Sequence, residues 1–329
     1  MLPRITVITP SFQQATFLEQ TIRSVVAQRY PNLEFFVIDG GSTDGSVDII
    51  RHYEHHITHW ISEKDKGQSD AINKGLLWAT GDIISWLNSD DVLLPGALQT
   101  VADLFEKHPH AWVIHGKTQL FGKGITSKEK GAPVPCAEAL YLGKLPFPQP
   151  SAFFRKDALQ AVGHLDLSLH YGMDYDLFLR MFLQNGCFVA TQAVLSGYRL
   201  HQQAKGVAMQ ACFADDYARI FARLLNSTNA SKELLHLATS ASLPILEEKK
   251  TYPIRRALTT EVLWQALLEN ALARLTFLYE ALALSQARPL AAFLLNHATD
   301  FCRAHPEIRQ IAIRSRLPAS VIRLLRTLV

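Results

Sequence analysis

The sequence has little sulfur and no long apolar run. Its four cysteines, Cys136, Cys187, Cys212 and Cys302, lie far apart in 329 residues and form no C-x-x-C pair. Nothing therefore indicates a zinc site, a redox motif or a disulfide framework, and a reduced, cytosolic chain is the expectation. No stretch reaches the roughly 18 to 20 uninterrupted apolar residues of a membrane span, because Glu261, Glu269, Arg274 and Glu280 break up the most apolar helical region. Residues 1 to 25 also lack the basic head, apolar stretch and cleavage site of a signal peptide, being interrupted by Gln13, Gln14 and Glu19, so secretion is not expected. Net charge is scarce too. The formal +3 is too small to indicate a nucleic-acid partner, and it is concentrated: residues 303–326 hold six arginines and one glutamate, a formal +5 that leaves −2 for everything else. The basic character belongs to the tail.

What is present is 48% hydrophobic residues, enough to core one large or two modest domains. Ile5-Thr6-Val7-Ile8-Thr9 reads as a first buried strand ended by Pro10, which cannot donate to a ladder. A helix follows over about 15–29, with Phe17, Leu18, Ile22, Val25 and Val26 in one stripe. A second strand, Leu33 to Asp39, closes on Gly40-Gly41-Ser42-Thr43-Asp44-Gly45, where glycines permit a sharp turn and Ser42, Thr43 or Asp44 can cap the next helix. His59 to Ser62 is a third strand, followed by Glu63 to Asp70 and a helix carrying Ala71, Ile72, Leu76 and Leu77. A fourth, Asp82 to Leu87, runs into Asn88-Ser89-Asp90-Asp91. Short apolar strands alternating with amphipathic helices imply a parallel sheet covered on both faces. Ligands then bind at the carboxyl ends of the strands.

Four loops thus deliver polar groups to one edge. Asp90 and Asp91 are adjacent like charges, which raise each other's pKa unless a cation or donors hold them; the plainer alternative is a solvated turn that caps the next helix. A dinucleotide fold needs G-x-G-x-x-G after the first strand, and Thr9 to Gln14 holds no glycine. No G-x-x-x-x-G-K-[ST] phosphate loop occurs either. A nucleotide crevice in which a divalent cation at Asp90 and Asp91 neutralises a diphosphate remains, and hard oxygen ligands suit magnesium or manganese.

The run Ile8-Thr9-Pro10-Ser11-Phe12, the strand end Val37 to Gly45, the segment Ser62 to Gly75, and Asn88-Ser89-Asp90-Asp91 together resemble the family 2 inverting glycosyltransferases of GT-A fold, most of all the branch that builds bacterial O-antigen, capsule and exopolysaccharide repeats. The resemblance covers roughly residues 3–203. It implies an α/β fold with a Rossmann-like, mostly parallel sheet flanked by helices, and an α-helical C-terminal extension. The domains expected are 1–205, with a nucleotide-binding half to about 110 and an acceptor half over 111–205, then a helical region 206–329.

By the same resemblance, Thr9, Pro10, Ser11, Asp39 and Ser42 line the nucleoside pocket, Asp39 facing a base that is usually uracil. Asp65, Lys66, Gln68, Asp70 and Asn73 lie at the nucleotide or donor sugar. Asp90, Asp91 and His201 resemble the metal and ribose set of a D-x-D motif, with Mn2+ or Mg2+ as cofactor and Asn88 where many relatives carry the first Asp. A structural role for His201 stands beside the ligand role. Gln149 and Tyr171 fall on the acceptor side. Asp174 resembles the base of the family's Glu-Asp pair, with Met173 in place of the Glu; its plainer alternative is a helix N-cap. Asp176 and Arg180 read as a structural pair. The partners implied are a nucleotide-diphosphate sugar and a glycan or lipid-linked oligosaccharide acceptor, without nucleic acid; oligomeric state stays open. A sugar nucleotidyltransferase and a silent glycan- or nucleotide-sugar-binding module are the alternatives.

Outside these motifs, Ala111 to Gly116 and Thr118 to Phe121 read as two strands, followed by a Gly-, Lys- and Pro-rich loop to Pro135. His52, His55, His56 and His59 read as a solvated helix end rather than a metal cluster. From about Val207 helix follows helix, with Tyr217, Ile220, Phe221, Leu224 and Leu225 at helical spacing. The last segment sets Val321, Leu324, Leu325 and Leu328 on one face and Arg323 and Arg326 towards the other. Such a helix can lie peripherally on an anionic membrane, here the inner face of the cytoplasmic membrane, or dock on its own domain or a second subunit.

Overall fold

The structure, a computed structural model, describes residues 2–245 and 247–327, without side chains at 207 and 324–327. The chain divides into two compact units, one of Met1–Cys136 and Pro146–His201, the other of Ala137–Leu145 and Gln202–Val329.

Among the described residues of the first unit, nine strands, numbered β1 to β9 along the chain with ranges given below, form one sheet in the order β3-β2-β1-β4-β8-β6-β9-β5, with β7 beside β6. Strands β1 (Ile5–Ser11), β2 (Leu33–Asp39), β3 (His59–Ser62) and β4 (Ile83–Trp86) are parallel neighbours. Between them run α1 (Ala15–Val26), α2 (Ser46–His52) and α3 (Gln68–Trp78). Leu18, Ile22 and Val25 of α1 join Ile5, Val7, Phe35 and Val37 in the core. Phe17, expected in the same stripe, is only half-buried.

Pro10 does not end β1. Backbone bonds from Leu87 N to Ile8 O and from Gly40 N to Ser11 O put the even residues of β1 towards β4 and the odd ones towards β2. Pairing with β4 stops at Ile8–Trp86, so the N–H that Pro10 lacks has no ladder to miss.

Beyond β4 the sheet is mixed rather than mostly parallel. A two-residue strand β5 (Val92–Leu93) precedes α4 (Ala97–Lys107). The two strands expected around Gly116 form one, β6 (Ala111–Phe121), and the following loop carries β7 (Lys128–Lys130). Strand β8 (Ala152–Arg155) runs antiparallel to both β4 and β6. Helices α6 (Lys156–Val162) and α7 (Met173–Leu183) lead to a 13-residue strand β9 (Cys187–Arg199), parallel to β6 and antiparallel to β5.

The second unit takes a segment that the sequence assigned to the acceptor half: α5 (Glu138–Gly143) clusters with the helical region. The reason is a set of contacts distant in sequence. Asn270, buried in α11 (Thr260–Glu280), donates to Gly143 O at 3.0 Å and to Tyr217 O at 3.2 Å. Tyr217 lies in α9 (Gln210–Asn226), which follows α8 (Lys205–Ala208) and buries Ile220, Phe221, Leu224 and Leu225 as expected. Helix α10 (Lys232–Ser240) is closed by the buried Arg274, which donates to Ala241 O and Ser242 O. Then come α12 (Leu284–His297), α13 (Thr299–Ala304), α14 (Glu307–Arg314) and α15 (Ala319–Thr327). In α15 the expected face is turned: Ile322 is buried, whereas Val321 is 38% exposed. Leu328 lies outside the described residues, and so do the side chains of Leu324, Leu325 and Arg326. Among the described residues no helix is long and apolar enough to cross a membrane.

Candidate active site

The site is built at the carboxyl ends of β1 to β4. Ser11, Asp39 and Ser62 stand in one row across three parallel strands. Asp39 is fully buried and accepts from Gly41 N (3.1 Å), Ser42 N (2.8 Å), Ser62 Oγ (2.6 Å) and Ser42 Oγ (2.6 Å). The loop folds back on its own carboxylate because Gly41 adopts φ +83°, a left-handed conformation open to glycine. Ser42 in turn accepts from Gln13 N at 2.8 Å. Asp44 accepts from Ser46 N and Oγ and from Ala15 N, and these donors hold its pKa below the usual carboxylate value against a desolvation that raises it. One aspartate thus accepts from the first N–H group of both α1 and α2, groups that have no partner within their own helices.

Within this frame, Thr9 Oγ1 and Ser11 Oγ are buried and have no hydrogen-bond partner. Residues two apart on a strand face the same way, so two orphaned hydroxyls lie side by side next to Asp39. Buried polar groups left unpaired cost free energy, and a ligand's polar atoms can remove that cost. Above them Phe12 is 59% exposed. A Cβ on Gly40 would lie 2.8 Å from Asp65 Oδ2 and 3.2 Å from Phe12 Cδ2, so Asp65 and Phe12 meet over a backbone that only glycine leaves open. Phe12 closes the motif run Ile8 to Phe12 but has no assigned role in it; an aromatic just past the end of a buried strand is the sequence signal for one.

Other expected residues are committed to the scaffold. Asp65 accepts from Gly67 N at 2.8 Å, and Asp70 accepts from Lys66 N at 3.0 Å, with the Lys66 side chain in solvent. Asn73 clamps Leu165 through both halves of its amide, at 3.0 Å each. Gln149 is buried and donates to Trp86 O at 2.8 Å, fixing the end of β4. Gln68 donates to Asn88 Oδ1 at 2.7 Å, and Asn88 Nδ2 points at Asp91 Oδ2, 3.5 Å away. Asn88 therefore supplies a donor where a third carboxylate would add repulsion.

The two adjacent aspartates differ. Asp91 is 1% exposed, and its Oδ1 accepts from Arg199 N at 3.0 Å. Burial first, and Asp90 second, push its carboxyl well above the ordinary range. Asp90 is more accessible, and its Oδ2 lies 3.0 Å from His201 Nε2. Arg199 anchors the pair: Nε donates to Asp90 O at 2.8 Å, and its guanidinium lies over Phe17 and Phe121 at 4.8 and 4.5 Å. Phe17 also meets the His201 ring at 4.6 Å, which accounts for its absence from the core. Sequence reasoning missed Arg199, since nothing in the order of residues shows β9 returning beside β5.

Asp90 and His201 form two donors backed by a buried carboxylate that a cation would relieve. Among the described residues no group of three ligating side chains occurs. The arrangement fits a cation of the magnesium type, which takes one or two protein groups and completes its shell with phosphate oxygens and water. His52, His55, His56 and His59 are all exposed.

Asp174 lies in the first turn of α7, where the helix dipole favours a carboxylate. Its Oδ1 accepts from Tyr175 N at 2.8 Å. Tyr198 ties the parts together: burial foremost, then the charges of Asp91, Asp90 and Asp174, raise its phenol. Asp176 pairs with Arg180 at 2.9 Å, as expected, and Met173 Sδ accepts from Ser69 Oγ at 2.7 Å in place of a charge. Tyr171 is half-buried in the loop before α7.

Comparison with known proteins agrees with this geometry. A family model described as Glycosyl transferase family 2 matches residues 6–163. An uncharacterised glycosyltransferase of Mycobacterium tuberculosis strain H37Rv, Rv1514c, is 34% identical over 190 residues, 55% of this chain and 70% of the relative. A GalNAc(5)-diNAcBac-PP-undecaprenol beta-1,3-glucosyltransferase of Campylobacter jejuni is 29% identical over 132 residues, 39% of this chain and 40% of the relative. Among solved structures, S. aureus TarS 1-349 in complex with UDP-GlcNAc superposes with TM-score 0.56 at 14% identity, over 95% of this chain and 91% of that one. The mannosyltransferase PcManGT of Pyrobaculum calidifontis, in complex with GDP-Man and Mn2+, gives 0.57 at 18%, over 96% and 85%. At these identities the structural likeness is one of fold.

Proposed function

Because this chain belongs to glycosyltransferase family 2, we propose that it moves a sugar, with inversion, from a nucleotide-diphosphate donor to a hydroxyl of a surface-polysaccharide or lipid-linked oligosaccharide acceptor on the cytoplasmic side. The observation that carries the proposal is the pair of unpartnered buried hydroxyls, Thr9 and Ser11, at the strand edge that carries Asp39, with Asp65 beside Gly40. Membership in the family sets aside the nucleotidyltransferase and silent-module alternatives.

Under this proposal Thr9, Ser11 and the loop held by Asp39 receive the nucleoside, Phe12 offers a face on which a base stacks, and Asp65 meets the donor beside Gly40. Uracil is favoured as the base. Gly40 carries no Cβ, so the backbone can approach the ligand. Asp70, Asn73, Ser42, Gln68 and Lys66 act through the backbone and side chains they hold. Asp90 and His201, with Asp91 behind them, would hold Mn2+ or Mg2+; when bound, the cation offsets charge developing on the departing diphosphate. Arg199 keeps both aspartates in place. Gln149 and Tyr171 are assigned to the acceptor side.

Asp174 takes the proton from the acceptor hydroxyl. The freed oxygen pair bonds the anomeric carbon on the face opposite the diphosphate, whose bond breaks as its electrons pass to the leaving phosphate oxygen. Configuration is inverted, and no covalent enzyme intermediate forms. General-base assistance of this kind contributes roughly 10² to 10⁴ in rate. The test is release of nucleoside diphosphate from UDP-, dTDP- and GDP-sugars with glycan acceptors, for wild type and Asp174→Asn. A loss of about two to four decades in kcat, with donor affinity kept, supports the assignment; unchanged turnover moves the base elsewhere.

A further inference from the structure

The C-terminal arginines lie outside the proposed transfer site, and among the described residues most of them have no carboxylate partner. Arg303 pairs with Asp300 at 2.7 Å and Glu307 with His305 at 3.1 Å. Arg309, Arg314, Arg316 and Arg323 are exposed and have no carboxylate partner among the described residues. Arg288, exposed on α12, joins them by donating to Ser315 O at 2.8 Å.

An apolar side chain stands in the middle of these charges. Helix α14 buries Ile308 and Ile311, and Ser315 continues that stripe. At 3.6 residues per turn, Ile313 falls opposite the stripe, with Arg309 and Arg316 to one side of it and Arg314 to the other. Ile313 is 67% exposed, and Val321 adds a second apolar side chain at 38%. A phosphodiester chain would engage the arginines and leave Ile313 in water. A lipid surface takes both, phosphates at the guanidinium groups and acyl chains at the apolar tips.

We propose that the outer face of α14, with the start of α15, is a docking surface for an anionic lipid bilayer. The face lies on the second unit alone and goes beyond the transfer reaction. The occupant follows from charge complementarity together with the exposed Ile313.

The full chain tests this by sedimentation with vesicles of phosphatidylcholine, alone or mixed with phosphatidylglycerol, at low and high salt. We expect binding to the anionic vesicles only, lost at high salt. Each arginine near such a surface is worth about fivefold in partitioning, so Arg309→Ala/Arg314→Ala/Arg316→Ala should weaken binding about a hundredfold. Ile313→Ser should weaken it about tenfold, and the triple lysine variant should retain it. All these side chains are exposed, so melting and manganese-dependent nucleotide binding should match wild type; those readouts report on the proposed reaction separately. No binding to anionic vesicles overturns the proposal. So does full binding by the triple alanine variant, or salt-sensitive uptake of duplex DNA with vesicles ignored. Self-association lost in the triple alanine variant, without vesicle binding, would assign the face to a second copy instead.

Discussion

Substitution of Asp39 separates a residue that holds the loop after β2 from one that would only touch the proposed base. Its carboxylate accepts two backbone N–H groups and two serine hydroxyls. Asp39→Ala strands the N–H groups of Gly41 and Ser42 at about 1.5 kcal/mol each and the Ser62 hydroxyl at about 1, while Ser42 can turn to water, for a total of about 4 kcal/mol. For a unit of roughly 190 residues that corresponds to about 8–16 °C in melting temperature. Asp39→Asn keeps an acceptor for the N–H groups and loses mainly the charge, so about 1 kcal/mol, or 2–4 °C, is expected. Thermal melts of the three proteins check the ladder, and calorimetric titration with UDP shows whether Asp39→Asn, with its loop intact, has lost the base. An Asp39→Ala protein melting within about 2 °C of wild type would refute the loop role.

Two further perturbations probe the same edge. Burial and Asp90 raise the Asp91 carboxyl, so the native state keeps its proton where the unfolded chain, at about 4, has released it. Cation-free stability should therefore fall as pH rises from about 4 through the raised value. Asp91→Asn should flatten that limb and, without cation, melt above wild type at neutral pH; an unchanged pH profile would contradict the account. Gly40→Ala meets the ends of flexible side chains, Asp65 and Phe12, so it should leave stability within about 1 kcal/mol and weaken donor binding. A large stability loss with binding intact would show that the space serves packing instead.

The first four strands and their loops were legible because each is a short apolar run ended by polar or turn residues, and all four run parallel, which brings their carboxyl ends to one edge. The second half was not. Strand β9 is mostly half-buried along its length, without the clean alternation of a one-sided strand, so nothing announced that Arg199 would lie beside Asp90 and Asp91. Pro10 misled because strand rules assume a partner on both sides, and β4 has already left. Segment 137–145 was misplaced because its ties, from Asn270 to Gly143 O, Glu269 to Lys144 and Arg256 to Glu138, come from residues more than a hundred positions away. Asn73 and Gln149 were legible as residues of the site region and not as clamps, since their backbone partners are set by tertiary structure alone.

The proposed nucleotide-diphosphate crevice at Asp90 depends on a divalent cation. Calorimetric titration of UDP, dTDP and GDP, with manganese and with chelator, on wild type and Asp90→Ala, tests it most directly. We predict that one nucleotide, UDP first, binds wild type with manganese, and that either the chelator or the substitution removes the binding. Binding indifferent to both, or no binding of any nucleotide, would contradict the account.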